Sequence, residues 1–282
     1  MTEDPRDPHG PLLAVTTRSR LRSVRFFPAM LVGTLHIRRQ LARTDGVVRW
    51  ASLIAGPTEF WTITVWRSRH AMQEFTRSDE HGKIMWRFSR WLHSLWLMRW
   101  RPGPYELGSW AGLSLAPPHD SAASRPPTPE WPALPGALEN LPELQSAIGA
   151  DGVASYDSSS RVRRDRRRVE GAAGVVIRIH APRRRFPTAL LELVRLRRSV
   201  GREPSLLRSV VGVGKPGEVY FLSVFRAHPD ATRFLEGSRV GAASQRWGDG
   251  FWAGAWLPEN EFGHWDGLRI RRALRRPDQP AA

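Results

Sequence analysis

The sequence predicts an α+β protein built from two ferredoxin-like repeats, each with the order βαββαβ, packed sheet on sheet within one chain. The first observation is a duplication: residues 27–81 align with 186–240 without a gap, at a constant offset of 159, with twelve identities in 55 positions. The second is that β-rich and helical runs alternate in the same order in both copies. A sheet with both helices on one side leaves its other face bare, and two copies cover that face by packing together.

Each repeat begins with an alternating run that predicts a strand, near residues 14–23 and 173–180. Pro28 and Pro187 follow, at a place where the first turn of a helix tolerates proline. In the first copy this helix is expected to run to about Leu41, with an arginine pair near its C-terminal end, where the helix dipole favours cations.

Two β-rich runs joined by a Pro/Gly turn come next in each copy, followed by a second helical region and a final strand. The four runs lie at 47–55, 59–67, 206–213 and 218–226. The final strand of each copy leads into a shared motif, E-L-G-S-W-A-G-L in the first copy and E-F-G-H-W-D-G-L in the second, with five identities in eight positions.

These patterns define five segments. We expect a disordered tail at 1–13, the first repeat at 14–116, a linker at 117–171, the second repeat at 172–271 and a disordered tail at 272–282. The linker is expected because that stretch is rich in proline, serine and arginine.

Composition narrows the classes of function. The N-terminal residues lack the basic and apolar segments of a signal peptide, and there is no cysteine, so we expect a cytoplasmic protein. The net charge of +16 would favour an anionic partner. However, 41 of the 43 basic residues are arginine, a skew that GC-rich coding would produce by itself. We interpret the run at 161–168 as a solvated tether and do not expect nucleic acid as the main partner.

Several motifs indicate a family. They include A-R-T-D-G-V-V-R-W at 42–50, S-V-F-R-A-H-P-D-A-T-R-F at 223–234, R-W-R-P at 99–102 and the paired G-S-W-A-G and G-H-W-D-G motifs. In these residues the chain resembles the dimeric α/β-barrel superfamily, which includes the antibiotic-biosynthesis monooxygenases, and it is most similar to spheroidene monooxygenase-like tandem proteins. The resemblance covers both repeats and implies an intramolecular pseudo-dimer, as a monomer or weak homo-oligomer. It also implies an oxygenase that uses molecular oxygen and haem b on a carotenoid-like or polyketide-like secondary metabolite.

Most other catalytic patterns are absent. The sequence contains no G-x-S-x-G elbow and no H-E-x-x-H motif. G-V-G-K-P-G at 212–217 matches G-x-G-x-x-G, but a predicted strand follows where a dinucleotide site needs a helix, so we interpret it as a hairpin turn.

Histidine is the remaining route to haem or general-base chemistry. We interpret 81–100 as one helix, on which His81 shares an apolar face, and expect His81 to be the iron ligand or catalytic base. The second repeat has Val240 at this position, as expected if one copy has specialised. His93 lies on an aromatic face and is the second catalytic candidate. The apolar face that contains His81 also contains Ile84, Met85, Phe88, Leu92 and Leu95.

Arg38, Arg49 and Arg67 are candidates to pair with haem propionates or with an acidic substrate group. Each has an arginine counterpart in the second repeat, which also fits a purely structural role. The residues expected to form the substrate pocket are Met85, Phe88, Trp86, Trp66 and Trp110.

Residues 81–100 carry too many charges for a membrane span, although one flank of this stretch is free to touch a bilayer surface as a peripheral contact. Four hypotheses therefore stay open. They are a haem-dependent oxygenase, a cofactor-free monooxygenase in which a histidine removes a substrate proton, a non-catalytic protein that binds an apolar metabolite, and a nucleic-acid or lipid-surface protein that works through the arginine run.

Overall fold

The computed structural model describes residues 12–116, 171–268 and Ile270. The expected tails and linker lie outside the described residues except at their edges. In the first repeat the elements are β1 (Leu13–Leu21), α1 (Phe27–Leu41), β2 (Val47–Gly56), β3 (Glu59–Trp66), α2 (Arg69–Arg77), α3 (Asp79–Ser89) and β4 (Leu92–Gly108). In the second they are β5 (Ala173–His180), α4 (Phe186–Val200), β6 (Leu206–Val213), β7 (Glu218–Phe225), α5 (His228–Glu236), α6 (Ser238–Trp247) and β8 (Phe251–Gly263).

The predicted fold class is confirmed, and the duplication is visible in the bounds of the elements. Helices α1 and α4 begin at Phe27 and Phe186, and strands β3 and β7 begin at Glu59 and Glu218, in each case 159 residues apart. The predicted hairpin turn after Val213 is also present, between β6 and β7. Each predicted second helical region is two short helices rather than one.

The eight strands form one closed barrel in the order β1-β3-β2-β6-β7-β5-β8-β4. Each repeat contributes a four-stranded antiparallel sheet, and the two sheets meet at two seams. The β4–β8 seam is long, with partners from Trp96 opposite Gly263 to Gly108 opposite Trp252. The β2–β6 seam has the single pair Ile54 and Val213.

The prediction of one helix over 81–100 was wrong. Helix α3 ends at Ser89, and Leu92–Gly108 is strand β4. Trp96 and Trp100 point into the barrel, whereas Leu95 packs on the helix side of the sheet. Because residues 92–98 place mostly apolar side chains on both faces of this strand, its period of two is hidden, and the same residues also fit a helical spacing. Leu92 and Leu95 were expected on the apolar face of a helix with His81. They do lie in the core of the first repeat, but on a strand.

The barrel interior is filled by aromatic side chains from both repeats. Trp61 and Trp265 lie with ring centroids 4.6 Å apart, and Trp110 and Trp252 lie 4.9 Å apart. A void of about 10 Å³ lies among them, which is too small for a substrate. The tryptophans buried in the barrel are Trp61, Trp96, Trp100, Trp110, Trp252, Trp256 and Trp265.

The helices pack on the outer face of each sheet and form one apolar core per repeat. Among the helices that the structure describes, none has the length and apolar character needed to cross a bilayer.

Candidate ligand cavity in the first repeat

A cavity of about 600 Å³ lies between helices α1, α2 and α3 and the outer face of the first repeat's sheet. This volume is within the range of small-molecule and cofactor sites. The wall is mostly apolar, and it reaches the second repeat at Val213, Gly214 and Phe262. Apolar wall residues include Met30, Leu41, Phe60, Trp66, Phe75, Met85 and Phe88.

The sheet side of the cavity carries small polar side chains. Thr62 and Thr64 of β3 line it, between Trp61 and Val65, which point into the barrel. Ser52 of β2 also lines it, and its hydroxyl oxygen is buried and has no hydrogen-bond partner among the described residues. These residues were not predicted to line a cavity, because small polar side chains at alternate positions of a strand are typical of a solvent-facing surface.

The second repeat has larger apolar residues at most of the matching positions, although Ser223 corresponds to Thr64. Strand pairing places Thr17 opposite Thr62 in the first repeat and Ile177 opposite Phe221 in the second. On the helix side, Thr34 corresponds to Leu193 at the offset of 159, and Leu193 is fully buried. The exchange of small polar for large apolar residues is therefore what opens a cavity in one copy and closes the core in the other.

His81 is held at this cavity by the start of α3. Ser78 is the N-cap of the helix, and its hydroxyl oxygen accepts a hydrogen bond of 3.3 Å from the backbone N–H of His81. The imidazole ring is part of the cavity wall and lies 4.6 Å from the Phe75 ring, between centroids. The helix therefore begins two residues before His81, and the histidine lies on the side of the helix that faces the cavity.

Burial sets the protonation state of His81. It lowers the pKa of the imidazole from its ordinary value of 6.5 to about 4, so the ring is neutral at pH 7. Its Nδ1 atom is buried and has no hydrogen-bond partner within the described residues. A neutral imidazole is the form that binds metal, whereas a base with a pKa near 4 accepts protons poorly at pH 7.

Two arginines also line the cavity. The guanidinium carbon of Arg38 lies 5.2 Å from the centroid of the Trp50 ring, which holds the side chain beside the wall. Arg77, near the end of α2, is exposed at its rim. Arg38 was predicted from the sequence, but Arg77 was not. The predicted arginines all have an arginine at the matching position of the second repeat, whereas Arg77 has Glu236 there.

The other proposed arginines lie elsewhere. Arg49 donates from Nε to the Trp110 carbonyl at 2.9 Å and from Nη2 to the Ala111 carbonyl at 3.1 Å. Arg208 donates to the Asp266 carbonyl at 3.0 Å in the second repeat. This shared contact stabilises the turn that closes each repeat, and it leaves Arg49 away from the cavity. Arg67 is exposed and does not line the cavity.

Of the expected pocket residues, Met85, Phe88 and Trp66 line the cavity, and Trp86 and Trp110 do not. Trp86 is 41% exposed and stacks against Arg90, and Trp110 lies inside the barrel. His93 is on strand β4 and is not part of the cavity wall. The described residues contain no group of three or more histidine, cysteine, aspartate or glutamate side chains placed to hold a metal ion.

The fold is shared with an enzyme of known structure, an aldoxime dehydratase. The chain matches no family model and no curated protein. An aldoxime dehydratase matches with 12% identity and a TM-score of 0.50, over 92% of this chain and 89% of that chain. An anthrone oxidase-like protein matches with 11% identity and a TM-score of 0.31, over 90% of this chain and 94% of that chain. The cofactor-independent oxygenase SnoaB from Streptomyces nogalater matches with 13% identity and a TM-score of 0.28, over 32% of this chain and 91% of that chain.

At these identities the likeness establishes the fold alone. The chain has the dimeric α/β-barrel fold that its resemblance to the antibiotic-biosynthesis monooxygenases implied, with both halves of the barrel in one polypeptide.

Proposed function

We propose that the protein is a monooxygenase-like oxidative enzyme that binds haem b in the cavity of the first repeat, with His81 as the iron ligand. The observation that supports this most strongly is a half-buried, neutral histidine on the wall of an apolar cavity, where the other copy has Val240 and a filled core. An imidazole with a strongly lowered pKa on the wall of a cavity is a candidate for chemistry, because such pKa shifts cluster at functional sites.

The residues at the cavity fit a haem. The apolar wall suits the porphyrin faces, and Arg38 and Arg77 supply positive charge for the two propionates. The partnerless Nδ1 of His81 shows that the imidazole is not used up in a structural hydrogen bond among the described residues. When bound, haem would supply the activation of molecular oxygen.

The chain's own residues would then orient and shield the reaction. Phe75 packs against the His81 ring in a tilted contact that restricts its orientation, while Ser78 caps the helix at the His81 backbone N–H. The apolar wall excludes water and would favour an apolar or polyaromatic substrate, of the carotenoid-like or polyketide-like kind. A cytoplasmic setting, expected from the absence of cysteine, stays part of this proposal.

A cofactor-free oxygenase is the second candidate. The row of Thr17, Ser52, Thr62 and Thr64 supports it, because these hydroxyl groups could hold a polar ring substituent against the sheet. In this version His81 would remove a substrate proton, but a pKa of about 4 makes it a weak base at neutral pH. The pKa therefore favours the haem version.

The visible absorption spectrum of the purified protein, before and after hemin is added, separates these candidates. The haem version predicts a Soret band in the wild type that shifts or disappears in His81→Val. No Soret band after hemin addition would exclude haem. Oxygen consumption by such a haem-free protein with an electron-rich aromatic substrate would then support the cofactor-free version.

A non-catalytic binding protein predicts a third result. Apolar ligands would raise its melting temperature without oxygen consumption in either form of the protein. His93→Val is the matched control in all these measurements, because His93 lies away from the cavity.

A further inference from the structure

The outer face of α1 carries an exposed apolar patch. Val24 is 58% exposed, Leu31 36%, Val32 54% and Leu35 50%. Leu31, Val32 and Leu35 lie on adjacent positions of the helix surface, since residues three and four apart share a face. These three residues form what we call the α1 patch, and Val24 is a further exposed apolar residue in the turn before the helix.

The α1 patch is continuous with the mouth of the cavity. Leu31 and Leu35 belong both to the patch and to the cavity wall, and Ile54 of β2, another wall residue, is 38% exposed. A molecule that covers the patch therefore also covers the opening through which a ligand reaches the cavity.

The patch is flanked by positive charge. No acidic residue occurs between Arg22 and Arg43. Arg22, Arg25, Arg39 and Arg43 are exposed there, and Arg38 is half-buried at the cavity. Exposed apolar side chains flanked by arginines on one helix are typical of a segment that lies at the surface of an anionic bilayer.

The second repeat shows that the shared fold does not require this patch. In α4 the counterparts of Leu31 and Leu35 are Leu190 and Val194, and both are partly buried. Leu191 is exposed, but the next residue, Glu192, carries negative charge and pairs with Arg246 at 2.6 Å. The exposed apolar surface and the purely cationic flank occur together in the copy that has the cavity.

We propose that the α1 patch docks on an anionic lipid bilayer and that the apolar substrate passes from the bilayer into the cavity mouth. Charge argues against two other occupants. A second copy of the chain would bring the arginines of two α1 helices together, and the linker run at 161–168 is itself strongly cationic. Passage of the substrate rests on the proposed function, whereas docking does not.

Sedimentation of the full chain with large unilamellar vesicles tests the docking. The vesicles contain phosphatidylcholine alone or with about one-third phosphatidylglycerol. We expect binding to the anionic vesicles that weakens as salt is raised. Val32→Ser combined with Arg39→Ser should lower the partition coefficient about tenfold, since one arginine near such a surface contributes about 1 kcal/mol and the valine adds buried apolar area.

The matched control is Leu191→Ser combined with Arg198→Ser, which changes the corresponding exposed positions of α4. This variant should bind as the wild type does. The proposal is overturned if the two double variants bind equally well, or if deletion of 161–168 alone abolishes binding. It is also overturned if the wild type is a dimer in sedimentation velocity that Val32→Ser dissociates.

The variant His81→Val separates the test of membrane docking from the test of haem binding. Because His81 lies inside the cavity wall and not on the α1 patch, this variant should bind vesicles as the wild type does even when it has lost haem.

Discussion

At the scale of single residues, the duplicated chain provides its own comparison. His81 and Val240 occupy the same position, and the histidine lines a cavity whereas Val240 is buried in the core of the second repeat. The alignment of the repeats was enough to select His81 as a candidate from the sequence, and its role stays a prediction. It could not show that Thr17, Thr34 and Thr62 open the cavity, because a small polar residue on a strand or helix fits a solvent-facing position equally well.

The buried imidazole should make the haem-free protein less stable in acid. The pKa of His81 is about 4 in the folded state and near its ordinary 6.5 in the unfolded chain, so between these values the unfolded chain binds more protons. Stability is therefore lost as pH falls from about 6.5 to about 4. His81→Val removes this dependence, and its advantage over the wild type should approach at most about 3 kcal/mol at the acid end.

Urea unfolding of the two haem-free proteins at intervals across that pH range measures the difference directly. Titration of the carboxylates is common to both proteins and cancels in the comparison. Parallel stability curves would show that the ring does not titrate in this way.

Each repeat also buries an arginine paired with a glutamate beside the barrel. Arg178 contacts Glu218 at 2.6 Å, with both side chains no more than 5% exposed, and the Tyr220 hydroxyl donates to the same carboxylate at 2.9 Å. In the first repeat Arg18 pairs with Glu59 at 2.9 Å, and it also contacts Asp266 at 3.1 Å. The repetition of this pair in both copies points to a role in the fold.

Glu218→Gln should lower the free energy of unfolding by about 3–5 kcal/mol, because it leaves a buried guanidinium without its paired charge. Glu59→Gln is the matched comparison and should cost less, since Arg18 keeps Asp266 as a partner and Glu59 is 25% exposed at its side chain. Chemical denaturation at pH 7 measures both. Equal losses would contradict this account of the second ion pair.

At the scale of elements, the strands and first helices could be predicted because their periodicity and turns are distinct. β4 could not. Its two faces are covered by different cores, the barrel interior and the helix layer, so both faces are mostly apolar over residues 92–98, although Ser94 and Arg99 are also buried. Apolar residues on both faces fit a helical period of 3.6 and a strand period of 2 equally well. The prediction therefore extended helix α3 into this run.

Helices α1 and α3 approach each other closely at the cavity, and a glycine makes this contact possible. A Cβ atom at Gly33 would lie 2.2 Å from Cε1 of Phe88. Gly33→Ala should therefore push Phe88 from the cavity wall and cost about 1–3 kcal/mol of stability, the usual penalty for overpacking.

Gly241→Ala is the matched control. A Cβ atom at Gly241, within α6, would meet nothing within 4 Å, so the higher helix propensity of alanine should stabilise the protein by up to about 1 kcal/mol. Melting temperatures that change in opposite directions would support the described helix contact. A stabilising Gly33→Ala would contradict it.

At the scale of the whole molecule, the repeats are joined across a pseudo-twofold relation. The Trp96 indole N–H donates to Glu261 at 2.6 Å, and the Trp252 indole N–H donates to Glu106 at 2.5 Å. Each bond joins a tryptophan of one repeat to a glutamate of the other. Since each sheet covers the inner face of its partner, neither repeat has a complete core by itself.

We therefore expect the two repeats to unfold together. Far-UV circular dichroism and tryptophan fluorescence should report one coincident transition in guanidinium chloride, because the barrel tryptophans come from both repeats. Two separated transitions would show that the repeats are independently stable, and the shared barrel would then contribute less than its packing suggests.

We propose that one copy of the duplicated fold has become a haem site. The decisive measurement is a hemin titration followed at the Soret band in the wild type, His81→Val and His93→Val. We expect one haem per chain in the wild type and in His93→Val, with the band shifted or lost in His81→Val. Two haems per chain, no Soret band in any of the three proteins, or an unchanged band in His81→Val would contradict it.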